Sequence, residues 1–209
     1  MNRKLLLRTG AADREFFGFA LCLIFFACGI LIGTIFAGNL DAAEIFALQS
    51  SMSGYIAQIA DGSHRSPTFF SVFWSLGQYH LLVLFLGFSL LGTFGLPVLS
   101  GIRGFYLSFS ISAFIQAFGV EGWPAAFSLF GISALITVPC FFLLASQAFA
   151  ASADLGKVLI GSGKILAGTL YGSHYLIRTI LCFLGILAAV LIELYVTPAL
   201  VSWTSVVLK

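Results

Sequence analysis

The stretch Phe17–Ala37, FGFALCLIFFACGILIGTIFA, runs for about 21 residues without a charge. As a helix rising 1.5 Å per residue it extends about 31 Å, enough to cross a hydrocarbon core of about 30 Å. The basic residues ahead of it, between Asn2 and Arg14, would also suit a secretory signal, with Ile35 and Ala37 before a cut. A signal core is usually about 7 to 15 residues, so a retained membrane anchor is the expected reading. Lipid is therefore the solvent in which the remaining sequence has to be read.

Composition points the same way. Of 209 residues, 60% are hydrophobic and 9% charged, with a mean hydropathy of +1.07. Soluble domains carry about a quarter charged residues. No polar stretch is long enough to fold separately, so residues 1–209 read as one integral membrane domain. The expected fold class is all-α: a polytopic transmembrane helical bundle of about five spans, with one or two amphipathic surface helices. A net charge of +2 spread around apolar runs excludes a concentrated basic face, so no nucleic-acid partner is expected. Cys22, Cys28, Cys140 and Cys182 all lie in apolar runs and read as small buried hydrophobes, with no disulfide framework or metal spacing.

Apolar runs place further spans at about 78–99, 105–118, 124–150 and 174–196. The outer segment 38–74 is the longest polar region, and Ala43, Phe46, Ala47, Met52, Tyr55, Ile56 and Ile59 recur in it at roughly helical spacing. That pattern predicts an amphipathic helix at the membrane surface, broken by the stretch ending at Pro67. Gly101, Arg103 and Gly104 read as a tight basic turn between the second and third spans. The third is short for a full crossing, so extension into the turn, re-entry or shielding by neighbours are all open. Gly119 to Pro124 reads as a hairpin, with Gly119 ending one helix, Gly122 and Trp123 at the turn and Pro124 starting the next. Pro139 predicts a kink in the fourth span. Residues 151–172 read as a Gly-rich connection or a second surface helix, and Thr197-Pro198 as the end of the fifth span.

With the N-terminus inside, Arg3, Lys4, Arg8, Arg14, Arg103, Lys157, Lys164 and Arg178 face the cytoplasm, and Arg65 and Lys209 face out. That split satisfies the positive-inside rule, giving a cytoplasmic N-terminus and an external C-terminus.

Catalytic chemistry is not evident. Gly161-Ser162-Gly163-Lys164 resembles the end of a phosphate-binding loop, but Val158 and Ile165 stand where that loop needs a Gly and a Ser or Thr. His64, His80 and His174 are far apart and make no two-His zinc motif. No cofactor and no metal are expected. Glu193 is the one acid inside an apolar span and hence a functional candidate, although its distance from Pro198 favours reaching the outer interface. Gly29 and Gly33, and Gly104, Ser108 and Ser112, form small-residue faces that would let helices approach closely; a solute path needs the same residues. Such faces would also admit a second copy of the chain as a homo-oligomer.

Several particular residues carry a resemblance. They are Tyr79-His80-Leu81-Leu82, Leu86-Gly87-Phe88-Ser89-Leu90-Leu91-Gly92, Pro97, Arg103-Gly104-Phe105, Phe109-Ser110, Phe114, Phe118-Gly119, Gly122 and Pro139. On these residues the stretch Phe70–Ala150 resembles the stage II sporulation protein M family of bacterial membrane proteins. The sequence departs from it at Ile132-Ser133-Ala134, where the family often carries a polar Pro-Gln-Asn type step. The resemblance implies a non-catalytic scaffold in the cell membrane, holding the peptidoglycan-degrading sporulation proteins D and P during septal thinning and engulfment. A small transport component, either a permease or an exporter membrane subunit with Glu193 in its path, is the alternative.

Overall fold

The computed structural model describes residues 3–60, 67–159 and 172–204. All regular structure among them is helical: α1 (Arg3–Gly38), α2 (Ala42–Ala60), α3 (Phe69–Gly87), α4 (Gly92–Phe118), α5 (Trp123–Ala126), α6 (Ile132–Leu159) and α7 (Ser173–Thr204). Five segments are long and apolar enough to cross a membrane: Asp13–Gly38, Phe69–Gly87, Gly92–Phe118, Trp123–Val158 and Ser173–Leu200. The chain is thus a polytopic helical membrane protein. Large apolar side chains such as Phe17, Leu31, Phe85, Phe94 and Leu181 point outward, where lipid rather than water is their surroundings.

The second and third spans differ from the sequence expectation. Gly101, Arg103 and Gly104 are not a turn but the middle of α4, and the chain reverses at Phe88–Leu91 instead. The spans are therefore Phe69–Gly87 and Gly92–Phe118 rather than 78–99 and 105–118, and the apparently short third span is a full crossing of about 40 Å. The reversal contains no charge and no proline. Its polar backbone is served locally and by a distant helix: the amide of Leu91 donates to Ser89 Oγ at 3.2 Å, and Ser152 Oγ on α6 donates to the Ser89 carbonyl at 2.7 Å. Thr93 Oγ1 lies 3.2 Å from the same Ser152 hydroxyl. A tertiary contact thus satisfies carbonyls that this apolar reversal leaves without a helical partner.

α7 also differs, running through Pro198 to Thr204 rather than ending at Thr197-Pro198. α2 covers the predicted amphipathic helix and turns Ile45, Leu48 and Met52 toward the bundle while Phe46 is exposed. Residues 151–159 prolong α6, whereas the rest of the expected second surface helix, with Gly161 to Lys164, lies outside the described residues. So do His64 and Arg65.

α1 packs most extensively on α4, and α6 lies against α1, α3, α4 and α7. The buried centre comprises Cys22, Phe26, Val83, Leu96, Phe141, Leu144, Ala145, Ala148, Phe149 and Cys182. At one end of the bundle, Arg14 of α1 pairs with Asp154 of α6 at 3.0 Å, and Arg178 of α7 with Glu15 at 2.8 Å. At the opposite end, α4 stops because Gly119 adopts a φ of 69°, a left-handed conformation open to glycine at little cost.

Candidate functional site

The small residues singled out in the sequence fall at helix seams. A Cβ on Gly29 would land on the carbonyl of Gly101, one on Gly104 on the carbonyl of Phe26, and one on Gly33 on Ser108 and Phe105. α1 and α4 thus meet backbone to backbone through both small-residue faces. Ser100 Oγ adds a hydrogen bond of 2.7 Å to the Cys22 carbonyl across that seam. Phe105 sets its ring against Phe36 at 6.0 Å, and Ser112 is half buried. Gly87 and Gly92 flank the Phe88–Leu91 reversal: Gly87 faces Ala148, while Gly92 faces the Leu86 carbonyl and Ser152. Gly122 meets Phe118 in the hairpin. Pro139 lies inside α6, where it has no N–H to donate to the carbonyl of Leu135.

Arg103 and Glu193 lie apart from these seams, in a cavity of about 510 Å³ bounded by α2, α3, α4, α6 and α7. Arg103 enters it from the middle of α4 and is 9% exposed. Its guanidinium lies 5.2 Å from the ring centre of Tyr79 on α3 and 5.0 Å from that of Phe141 on α6. Glu193 reaches the same cavity from α7, accepting a hydrogen bond from Ser133 Oγ. With α7 continuing to Thr204, this carboxylate lies about 16 Å before the helix end. It lines the cavity inside the bundle.

The carboxylate's partner is one of the three residues at which the sequence departs from the resembled pattern. Ser133 occupies the step Ile132-Ser133-Ala134, so a polar residue persists there and ties α6 to α7. One turn on, Thr137 Oγ1 donates to the Ser133 carbonyl at 2.9 Å, and the Thr137 carbonyl lies 3.2 Å from His80 Nε2. His80 is fully buried with its other ring nitrogen 3.2 Å from the Leu76 carbonyl, so a neutral ring has an acceptor for its N–H in either tautomer. Just before α6, Phe127–Gly131 forms a π-helical turn that brings Leu129 and Phe130 to the cavity wall, a distortion common beside functional sites. Among the described residues no three of His, Cys, Asp and Glu gather to hold a metal ion.

A family model for stage II sporulation protein M matches residues 22–198, from within α1 nearly to the end of α7. The chain belongs to the stage II sporulation protein M family. No curated protein and no solved structure gives a match. Membership makes this a sporulation-related membrane protein, and the match takes in the whole cavity, from Ser51 to Glu193. Gly101 and Gly104 on either side of Arg103 give it the local look of a turn. Reading Gly92–Phe118 as a single apolar run would have put this stage II sporulation protein M arginine at the centre of a span.

Proposed function

We propose that the protein is a non-catalytic anchor in the cell membrane that holds peptidoglycan hydrolases of the sporulation protein D and P type at the septum during thinning and engulfment. The observation that carries this reading is the family match over residues 22–198. Supporting it, α2 lies outside the spans, rests on the bundle through one stripe and leaves Phe46 72% exposed. An exposed aromatic on a surface helix suits recognition of a neighbouring protein. Coexpression with sporulation proteins D and P, followed by purification in mild detergent, is expected to recover all three together, and Phe46→Ser to reduce recovery severalfold. Isolation of the wild type alone, under conditions that preserve other membrane complexes, counts against the anchor.

The orientation that fits this role puts the N-terminus in the cytoplasm and α2 outside. With Arg103 inside a span, the split of basic residues changes from eight to two to seven to two, still favouring that side. Asn39→Cys is expected to react with an impermeant maleimide on intact cells, and Ser89→Cys only after permeabilisation. The reverse pattern means that the chain is inverted.

Arg103 also favours a second reading, a transport component, since a mid-span charge beside a cavity is a feature of solute paths. Solute flux in reconstituted vesicles that disappears with Glu193→Gln would decide for transport.

A further inference from the structure

Arg103 is more than nine-tenths buried within a span, yet it forms no hydrogen bond or ion pair with any described residue. A guanidinium carries five N–H donors in one plane and no acceptor. Tyr79 and Phe141 lie over it at 5.2 and 5.0 Å, as cations lie over aromatic faces. Those contacts leave the donor edge unused. Glu193, the acid in the same cavity, is engaged by Ser133 and makes no ion pair with Arg103. An arginine held in this way presents a fixed positive fork to a cavity also lined by the hydroxyl-bearing residues Ser75, Tyr79, Tyr106 and Ser110. Planar donors in parallel match two oxygens on one centre, the geometry of phosphate recognition. The volume of about 510 Å³ lies within the range of small-ligand sites and exceeds what a lone phosphate fills.

We propose that this cavity binds a phosphate-class oxyanion, gripped by the donor edge of Arg103 and supplied by a phospholipid headgroup or by free phosphate. The site does not depend on the anchoring role, since it follows from the position of Arg103 alone. Glu193 lines the same cavity from α7, where Ser133 engages it.

The test uses the full chain, freed of lipid in an uncharged detergent and titrated separately with dihexanoylphosphatidylglycerol, inorganic phosphate and dihexanoylglycerol, reading the thermal unfolding midpoint. The wild type is expected to shift upward with the phosphatidylglycerol and not with dihexanoylglycerol. Arg103→Gln should raise the apparent Kd about tenfold or more, and Arg103→Lys by less, because lysine keeps the charge and loses the fork. A response to inorganic phosphate as well assigns the oxyanion alone; a response to the phosphatidylglycerol only assigns the lipid. If Arg103→Gln does not fold, Tyr79→Phe and Ser110→Ala, which retain the arginine, should each weaken binding severalfold. The proposal is overturned if neither phosphate compound moves the midpoint, if dihexanoylglycerol moves it equally, or if the variants bind like the wild type.

Discussion

Gly29→Leu is expected to prevent recovery of a monodisperse protein after detergent extraction, and Gly104→Leu to do the same. At each position the added Cβ meets a backbone carbonyl of the facing helix, Gly101 for the first and Phe26 for the second. A side-chain neighbour can rotate away, but a carbonyl inside a helix cannot. The axes of α1 and α4 would therefore have to separate along the seam that holds Ser100 to the Cys22 carbonyl. In a bilayer no hydrophobic gradient pulls helices together, so association depends on close packing and on such hydrogen bonds. Overpacking a fitted interior costs about 1 to 3 kcal/mol and sometimes more, and here a backbone seam is disrupted along with it. Gly54→Leu is the control, since nothing lies within 4 Å of a Cβ at that surface position on α2. Size-exclusion profiles after a temperature series measure the difference. Equal survival of Gly29→Leu and Gly54→Leu would mean that the α1–α4 seam does not hold the bundle together.

Much of this bundle was legible because lipid imposes simple rules on sequence. The apolar run Phe17–Ala37, a helix after it and the Gly119–Pro124 hairpin follow from hydropathy, spacing and turn chemistry, and each is an element of the structure. α2 nevertheless turns Ile45 and Leu48 inward and leaves Ala43, Phe46 and Ala47 of the expected stripe exposed. The small-residue faces were legible as faces, although nothing in the sequence said that Gly29 and Gly33 would meet the Gly104–Ser108 face. The reversal at Phe88–Leu91 was not legible, because it carries neither charge nor proline and its polar partner, Ser152, lies 63 positions from Ser89. Arg103 was misplaced by the opposite error. A charge between glycines suggests a loop in water, whereas in lipid it is tolerated inside a span when aromatic rings cover it and a cavity opens beside it. Pro198 misled similarly, since a helix in a membrane can continue through proline. That error set Glu193 too close to a helix end and hid its link to Ser133.

Phe141→Ala is expected to lower stability by about 3.5 to 4.5 kcal/mol, while Phe141→Leu costs much less. Phe141 is fully buried, packing edge-on against His80 at 6.0 Å and against Phe142 at 5.8 Å, and its ring covers Arg103. In water most of the cost of such a truncation would come from lost burial, but lipid chains are as apolar as the site, which leaves the void as the main term. Removing the ring vacates roughly 100 Å³, which at about 24 cal/mol per Å³ amounts to about 2.4 kcal/mol. The lost cation–π contact adds about 1 to 2 kcal/mol for a desolvated arginine. Leucine refills most of the void but leaves one face of the guanidinium uncovered, so its deficit isolates the second term. Reversible unfolding in mixed micelles, followed by circular dichroism with increasing denaturing detergent, measures both variants. A deficit for Phe141→Leu as large as that for Phe141→Ala would assign the main role of this ring to covering Arg103. Equal stability of Phe141→Ala and wild type would instead mean that the α3–α4–α6 junction tolerates a void, and that the cavity beside Arg103 is not held by a rigid wall.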